Sequence, residues 1–460
     1  MVLTRANTRR TGASRGRPVF VTLLFWITIV SVVVAWENFS YVPGTVAHTA
    51  AGVAPAASMA ADPSSRALKL LMISVGGAYY FRRRRLAHQL LRQLNRYLVV
   101  FLALALASAA WSADSTATIA RFVGVLAGIS ISFAFCVADW QRRSFQQLLA
   151  PILTALLLGS LVFGLVSPQQ AIDANLAGWH GLAAQKNPFG MLASFGVIIC
   201  AHGWMSGETP ARRAMVPTLI ACACLVLSRS VTSLLATALT LLFFVLLMRT
   251  PLTLRRYSRY FVVTFAIIVL TYALAVLKVL PWLDTVLLGP IVALTGKDLT
   301  FSNRSAIWAI VQQHIQYHPL LGTGFGAYWT SPDPTSPSYE VFLRLYFWPS
   351  ESHNGYLEMI NDLGYVGLAV LIGYLITYVH QALKLHRLDR NQGALFLGLF
   401  FQQAVINLSE STWLAANGGL AGLIMNLATF ALARALLESE ARTKATTPMP
   451  SWAQPRPSGQ

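Results

Sequence analysis

Apolar runs about as long as a bilayer is thick recur along this chain, and they restrict its fold more than any other feature. A helix needs roughly 20 apolar residues to cross the hydrocarbon core. Runs near that length lie at 19–36, 67–81, 97–113, 118–138, 148–167, 188–206, 214–228, 230–248, 260–280, 355–380, 394–413 and 416–437. The expectation is an all-α polytopic membrane protein with about 12 spans. The second run is short, and hardly a loop separates 214–228 from 230–248. Composition agrees: 55% of residues are hydrophobic and 11% charged, where soluble domains carry about 25% charged residues.

Charge sets the orientation. Lys and Arg concentrate in cytoplasmic loops. With the N-terminus inside, alternate gaps hold Arg82–Arg85 with Arg92 and Arg96, then Arg142 and Arg143, then Arg212 and Arg213. Arg249, Arg255, Arg256 and Arg259 follow, then Lys384, Arg387 and Arg390, then the tail. In all, 26 of the 35 Lys and Arg fall on that side, so both termini are expected in the cytoplasm. These short clusters between apolar runs account for the net charge of +18 and set nucleic-acid binding aside.

The expected organisation is a basic tail at 1–18, nine spans within 19–280, a large outer loop at 281–354, three spans within 355–437 and a cytoplasmic tail at 438–460. The first apolar run is long for a signal peptide, and the WENFSY that follows is no small-residue cleavage site, so it reads as a retained span. Residues 443–460 contain four prolines and read as disordered. Cys136, Cys200, Cys222 and Cys224 all lie in apolar runs, which suits packing better than a disulfide framework or a metal site.

Nine basic residues break the charge pattern: Arg66, Lys69, Arg121, Lys186, Arg229, Lys278, Lys297, Arg304 and Arg344. Arg66, Lys69 and Lys278 lie near span ends, where long side chains snorkel. Arg229 sits between two apolar runs, so it needs a polar cavity or a partner; a functional role and a structural ion pair both fit. Arg304 opens an amphipathic stretch, Ser305 to Tyr317, that Asn303 or Ser302 would cap. Its guanidinium suits bidentate phosphate binding, and a surface salt bridge with Asp298 is the plainer alternative. Lys186, in Gln185-Lys186-Asn187-Pro188, reads equally as part of an anion site or as a flanking anchor.

His353 is the candidate general base, at the foot of a span beside Asn354 and Gly355. Histidine accepts a proton near neutral pH with little tuning; the plain reading is an interfacial histidine that caps the helix. Glu351, Glu358 and Asp362 are carboxylates within reach in sequence, and spacing does not choose among them. Gly322, Gly324 and Gly326 read as a tight turn, because no preceding strand or P-loop lysine supports a nucleotide loop. His180 and His318 form no ligand spacing with His353, and no HExxH or carboxylate cluster is visible, so no metal and no cofactor are expected.

Several stretches, in order, resemble the bacterial O-antigen ligase and polysaccharide polymerase superfamily, including exopolysaccharide polymerases. They are AQKNPFG (184–190), SRSVTSLLA (228–236), SNRSAIW (302–308), HPLLGTGFG (318–326) and SHNGYLEMINDLGYVGL (352–368), with a weaker SAAWSADSTATIAR (108–121). The resemblance covers roughly 100–435. It implies a metal-independent, inverting glycosyltransferase of the GT-C type in the bacterial inner membrane. The implied donor is a glycan on undecaprenyl diphosphate at the periplasmic face. Carried over, His353 is catalytic and deprotonates the acceptor hydroxyl, while Arg229 and Arg304 bind the diphosphate. Lys186, Asn354 and Glu358 stand as possible supporting residues. The glycine usual before the loop arginine is Asn303 here.

Two acceptors fit: another lipid-linked glycan (a polymerase of exopolysaccharide or O-antigen repeats) or lipid A core (an O-antigen ligase). AQKNPFG looks closer to the exopolysaccharide branch. A transporter or flippase of the same lipid-linked glycan is the rival class. It needs charges along the interior of its spans, whereas here the uncommon charges gather on one face and in one loop.

Overall fold

A computed structural model of the chain describes residues 19–35, 63–138, 140–141, 143–172, 178–249, 304–330, 334–415 and 419–446, with isolated residues between 257 and 271. The N-terminal tail, most of the 37–66 loop, most of the expected span at 260–280, the 281–303 part of the outer loop and the tail beyond 446 lie outside the described residues. So do Asp298, Ser302 and Asn303.

The described elements are helices: α1 (Val19–Val33), α2 (Pro63–Arg82), α3 (Arg84–Gln93), α4 (Arg96–Ala107), α5 (Ser115–Val137), α6 (Ser144–Val166), the single turn α7 (Pro168–Ala171) and α8 (Lys186–Met205). They continue as α9 (Ala211–Leu227), α10 (Val231–Arg249), α11 (Arg304–Ile315), α12 (Tyr339–Leu345), α13 (Gly355–Leu388), α14 (Arg390–Ile406) and α15 (Gly419–Thr446). Six of them, α5, α6, α8, α10, α13 and α15, are long and apolar enough to cross a bilayer; α3 and α4 make a seventh if counted as one broken span. The chain is an all-helical multi-pass membrane protein with about six or seven candidate spans among its described residues. The runs at 19–36, 214–228 and 394–413 form helices of 15, 17 and 17 residues, and α2 carries Arg66, Lys69 and Arg82.

The run at 97–113 is preceded by a corner. α3 and α4 meet at 92°. α3 buries Ala87 and Leu90 and exposes Arg84, Arg85 and Arg92, the pattern of a helix that lies along an interface. Asn95 makes the corner. It is fully buried; its Oδ1 accepts the Tyr97 N–H at 3.1 Å, and its Nδ2 donates to the Tyr374 carbonyl at 2.8 Å.

α8, α10 and α14 pack around a polar chain inside an otherwise apolar interior. Gln402 Nε2 donates to Ser194 Oγ at 2.9 Å, and Ser194 pairs with Thr237 at 2.6 Å. Gln403 Nε2 donates to Gln402 Oε1 at 3.1 Å, and Thr412 Oγ1 donates to Gln403 Oε1 at 2.8 Å. Buried polar groups need such partners because water does not reach them. The chain ends in the segment that connects α14 to α15, so the bundle interior is fastened to that connection.

α13 is broken at Gly364, whose φ is +65°. The GTGFG turn fills the break. Gly322, Gly324 and Gly326 have φ of +68°, +106° and +67°, as a tight turn requires. The N–H of Thr323 and of Gly324 reach the Asn361 and Asp362 carbonyls at 3.0 and 2.9 Å, and those of Tyr365 and Val366 reach Pro319 and Leu320 at 2.9 and 3.2 Å. Two backbone segments thus satisfy each other where the helix ladder is interrupted. A Cβ at Gly364 would sit 2.2 Å from the Leu320 carbonyl carbon.

Gly364→Ala should therefore destabilise the protein by about 3 kcal/mol or more, read as a lower thermal midpoint in detergent. Gly77→Ala in α2, where a Cβ meets nothing within 4 Å, is the control and should leave the midpoint near wild type. Equal midpoints for the two variants would mean that the interlock does not constrain the fold.

Candidate active site

The sequence Ser352-His353-Asn354-Gly355 is shaped by the start of α13. Asn354, not His353, is the cap: its Oδ1 accepts the N–H of Tyr356 and of Leu357, both at 3.1 Å, as N-cap asparagines do. Its own N–H donates to Ser411 Oγ at 3.1 Å. Ser352 is pinned on the other side. Its N–H and Oγ donate to Glu358 Oε2 at 2.8 and 2.5 Å, and Trp308 Nε1 donates to its carbonyl at 2.8 Å. Trp329 Nε1 donates to the same Glu358 oxygen at 3.1 Å. Between these two fixed neighbours His353 takes a φ of +53°, an uncommon conformation for a side chain with a Cβ.

The connection between α14 and α15 presents the partner of His353. Asn407 Oδ1 accepts the N–H of Thr412 at 2.8 Å and of Trp413 at 2.9 Å; its Nδ2 donates to the Gln403 carbonyl at 2.8 Å and to Thr412 Oγ1 at 2.7 Å. Gly355 donates its N–H to the Asn407 carbonyl at 3.0 Å. The closed loop holds Glu410. Glu410 Oε1 accepts from Arg304 Nη2 at 2.8 Å and from Asn187 Nδ2 at 2.9 Å. Its Oε2 lies 3.6 Å from His353 Nδ1. Arg304 Nη1 also donates to the Ser409 carbonyl, and Ser409 Oγ donates to Thr232 Oγ1 at 3.0 Å. Four of the stretches singled out by sequence therefore meet at Ser409 and Glu410: AQKNPFG through Asn187, SRSVTSLLA through Thr232, SNRSAIW through Arg304 and SHNGYLEM through His353.

Glu351 is the nearest carboxylate to the imidazole, with Oε1 at 3.1 Å from Nδ1. That contact has ion-pair distance without hydrogen-bond alignment. Glu358 binds Ser352 and Trp329, and Asp362 Oδ2 accepts the Gly326 N–H at 2.9 Å, so both brace the backbone and the turn. His353 Nε2 has no partner among the described residues. The donor atoms of Glu351, His353 and Glu410 lie within 4.8 Å of one another. Folding thus assembles a carboxylate–histidine group that the linear sequence does not display, and Arg304 already supplies cationic charge to it.

Burial opposes charge on His353, but Glu351 and Glu410 outweigh it and raise its pKa to about 9. Burial likewise pushes Glu351 above the usual carboxylate range, with His353 pulling the other way. At Glu410 burial is overcome by His353 and Arg304, which hold its carboxyl well below that range.

Arg229 and Lys186 stand apart from this network. Arg229 is exposed, has a φ of +50° and has no partner for its guanidinium among the described residues. It forms no hydrogen bond or ion pair with His353 or Arg304. Its turn packs on the first turn of α8: a Cβ at Gly190 would lie 2.7 Å from Ser230 Cβ, and one at Gly178 would meet both the Ser228 carbonyl and Lys186. Lys186, the first residue of α8, is half-buried and also without a partner among the described residues. Arg304 pairs with Glu410, while its other candidate partner, Asp298, lies outside the described residues.

Residues 216–372 match the Wzy_C family, described as O-antigen ligase. That stretch of the chain is similar to the O-antigen ligase family. The O-antigen ligase match includes Arg229, Arg304, Glu351 and His353 and stops short of Lys186 on one side and Glu410 on the other. The chain is also 27% identical over 267 residues to the exopolysaccharide production protein ExoQ of Rhizobium meliloti (strain 1021). That alignment covers 56% of this chain and 59% of the relative, less than two thirds of its length.

Sequence reasoning missed Glu410 by placing it inside the run at 394–413. A signal was present: an acidic residue within a span is rare and marks a functional site, and Asn407-Leu408-Ser409-Glu410-Ser411-Thr412 is too polar to lie in lipid.

The ion pairs have a pH signature. The folded pKa of His353 lies above its unfolded value of about 6.5, so its contribution to stability is complete below that pH and is lost as the pH rises through about 9. Glu351, also raised, loses its contribution earlier, and Glu410, lowered, loses its contribution only in strong acid. The thermal midpoint should fall between pH 7 and 9, and His353→Gln should flatten that fall. Parallel curves would show that His353 is not the group responsible.

Proposed function

We propose that this protein is a metal-independent, inverting glycosyltransferase that moves a glycan from undecaprenyl diphosphate to an acceptor hydroxyl. The observation that carries the reading is the convergence at Glu410: the candidate base His353 and the candidate anion holder Arg304 share one carboxylate. Among the described residues Arg229 and Lys186 are unpaired beside the first turn of α8, which belongs to the same network through Asn187.

In this reading the acceptor hydroxyl lies against His353 Nε2, the ring nitrogen without a partner. The acceptor oxygen attacks the anomeric carbon as its proton passes to Nε2. The bond from the anomeric carbon to the diphosphate oxygen breaks, and undecaprenyl diphosphate leaves with that electron pair. Attack from the face opposite the leaving group inverts the centre. Arg304, Arg229 and Lys186 hold the diphosphate; permanent guanidinium charges stabilise the negative charge that develops on it. Asn354 and Glu358 fix the backbone around His353 through their bonds to Tyr356, Leu357 and Ser352. No cofactor takes part.

The same reading keeps twelve spans with both termini in the cytoplasm, a GT-C-type arrangement, a large periplasmic loop at 281–354 and the site on the periplasmic face of a bacterial inner membrane. Its domain boundaries are 1–18, 19–280, 281–354, 355–437 and 438–460. Two observations support this polarity. Arg83, Arg390 and Lys384 bond at the far ends of the helices, to the Ala138 carbonyl, the Leu247 carbonyl and Glu440. The site lies at the opposite ends, where α8, α10 and α13 begin and α14 finishes. The likeness to an exopolysaccharide production protein favours polymerisation of repeat units, with the acceptor itself lipid-linked. The O-antigen ligase description of the matched family favours the second reading, transfer to lipid A core.

Reconstitution with a defined lipid-linked glycan tests the proposal and separates the acceptors, since the product is either a longer chain on the same lipid or a glycan on lipid A core. His353→Ala should abolish transfer and leave donor binding largely intact; transfer at the wild-type rate would sink the assignment. Arg304→Lys should be severely impaired, because a point charge does not reproduce the guanidinium fork. Near-normal donor affinity in that variant would remove the diphosphate role. A chelator should leave the rate unchanged, and a loss restored by added divalent metal would end the metal-independent reading.

A further inference from the structure

The inference deepens the reading just given and rests on it. We propose that Glu410 is a positioning residue that joins the two halves of the site: it holds the His353 imidazole from its Nδ1 side, and it is the anion that the donor diphosphate displaces from Arg304.

The geometry carries both parts. One carboxylate spans three elements. Its Oε1 is shared by Arg304 Nη2 on α11 and Asn187 Nδ2 on α8, at 2.8 and 2.9 Å, and its Oε2 faces His353 Nδ1 at 3.6 Å. Among the groups that face the imidazole, Glu351 comes from its own segment and Glu410 from the connection before α15. Arg304 stands behind Glu410, and Glu358 at the start of α13 is turned to Ser352. With both carboxylates on the Nδ1 side, the neutral ring keeps its proton at Nδ1 and its lone pair at Nε2, the nitrogen with no partner.

Arg304 already has a full anionic partner in Glu410, so a diphosphate binds there only by replacing it. The exchange is anion for anion, so the guanidinium is never left buried and unpaired, which would be costly. Asn187 keeps one hydrogen bond to Glu410 when Arg304 lets go. The released carboxylate then faces the neutral imidazole, which becomes its cationic partner only on taking the acceptor proton at Nε2. The proton taken from the acceptor therefore arrives on a ring whose charge is already balanced. Donor binding at Arg304 is in this way felt at His353.

Glu410→Gln keeps the shape of the side chain and removes its charge. In the reconstituted full-length protein, the rate requires neutral His353 and rises with pH. Loss of a facing carboxylate lowers a histidine pKa by about 1 unit or more, so the acid limb of the rate profile should move to lower pH by about that amount. The donor KM should fall severalfold, because the amide is no anionic competitor for Arg304, and kcat should fall with it. Glu410→Asp should return the limb towards its wild-type position. Glu351→Gln should move the limb and leave the donor KM unchanged, since Glu351 does not touch Arg304. An unshifted limb together with an unchanged donor KM in Glu410→Gln overturns the proposal, including the case in which the rate drops equally at every pH. If Glu410→Gln does not turn over, undecaprenyl diphosphate is used as a binding probe: tighter binding than wild type supports the displacement, and equal or weaker binding overturns it. Failure of the parent reading looks different, because then the wild type transfers nothing or His353→Ala transfers normally.

Discussion

A carboxylate buried at the end of an apolar helix bundle must be paired, and the pairing of Glu410 draws the site together. Arg304, Asn187 and His353 come from three parts of the chain and meet on its two oxygens. Each partner is itself held. Asn187 belongs to the first turn of α8, Arg304 opens α11, and His353 sits between Ser352 and the helix cap Asn354. The carboxylate is fixed in turn by the Asn407 loop, which is bonded to Gly355 above and to Gln403 below. Gln403 leads into the chain through Gln402, Ser194 and Thr237. Polar groups in a bundle interior have no water to fall back on, so this chain also ties the connection to the helices that frame it.

Backbone strain gathers at the same place. Among the described residues four non-glycines have positive φ, and three of them, Arg229, His353 and Leu414, lie in the segments that build or flank the site. Such conformations cost on the order of 1 kcal/mol or more each and persist where surrounding contacts over-determine them. For His353 those contacts are explicit: hydrogen bonds to the residues on both sides leave the imidazole one direction, towards Glu351 and Glu410. For Arg229 the turn joins α9 directly to α10, with Ser228 and Ser230 buried against Gly190. The backbone is committed there while the guanidinium stays open.

Much of this was legible in the sequence because lipid imposes simple rules. Apolar length gave helices close to their expected limits, as at 118–138 against Ser115–Val137 and 148–167 against Ser144–Val166. The three glycines of GTGFG announced a tight turn, and three positive φ values bear it out. Length and hydropathy did not reveal the corner at Asn95, because the amphipathic stretch before it is set by which face is buried, a property of packing. The partner of His353 was open among Glu351, Glu358 and Asp362, since sequence spacing does not say which way a capped helix start turns its neighbours. Glu410 escaped altogether: it lies 57 residues beyond His353 at the end of an apolar run, and the closed loop made by Asn407 shows that the run stops before it.

In the proposed reaction the two kinds of cation divide the work of holding a lipid-borne diphosphate. An exposed arginine such as Arg229, unpaired among the described residues and with half-buried Lys186 beside it, attracts an anion without first giving up a partner. Exposed charges act over about a Debye length, roughly 8 Å at physiological salt, so this pair suits capture. Arg304 is already desolvated and bonded to Glu410 and the Ser409 carbonyl, so it contributes little to capture and much to discrimination. An anion gains from Arg304 only if it equals a carboxylate in charge and in the geometry of the guanidinium fork. A phosphate oxygen pair meets that condition and a neutral sugar hydroxyl does not. The order of events in the proposed reaction then follows from solvation alone: the diphosphate settles first at the open cations, next exchanges with Glu410 at Arg304, and only then is the imidazole presented with its charge partner in place.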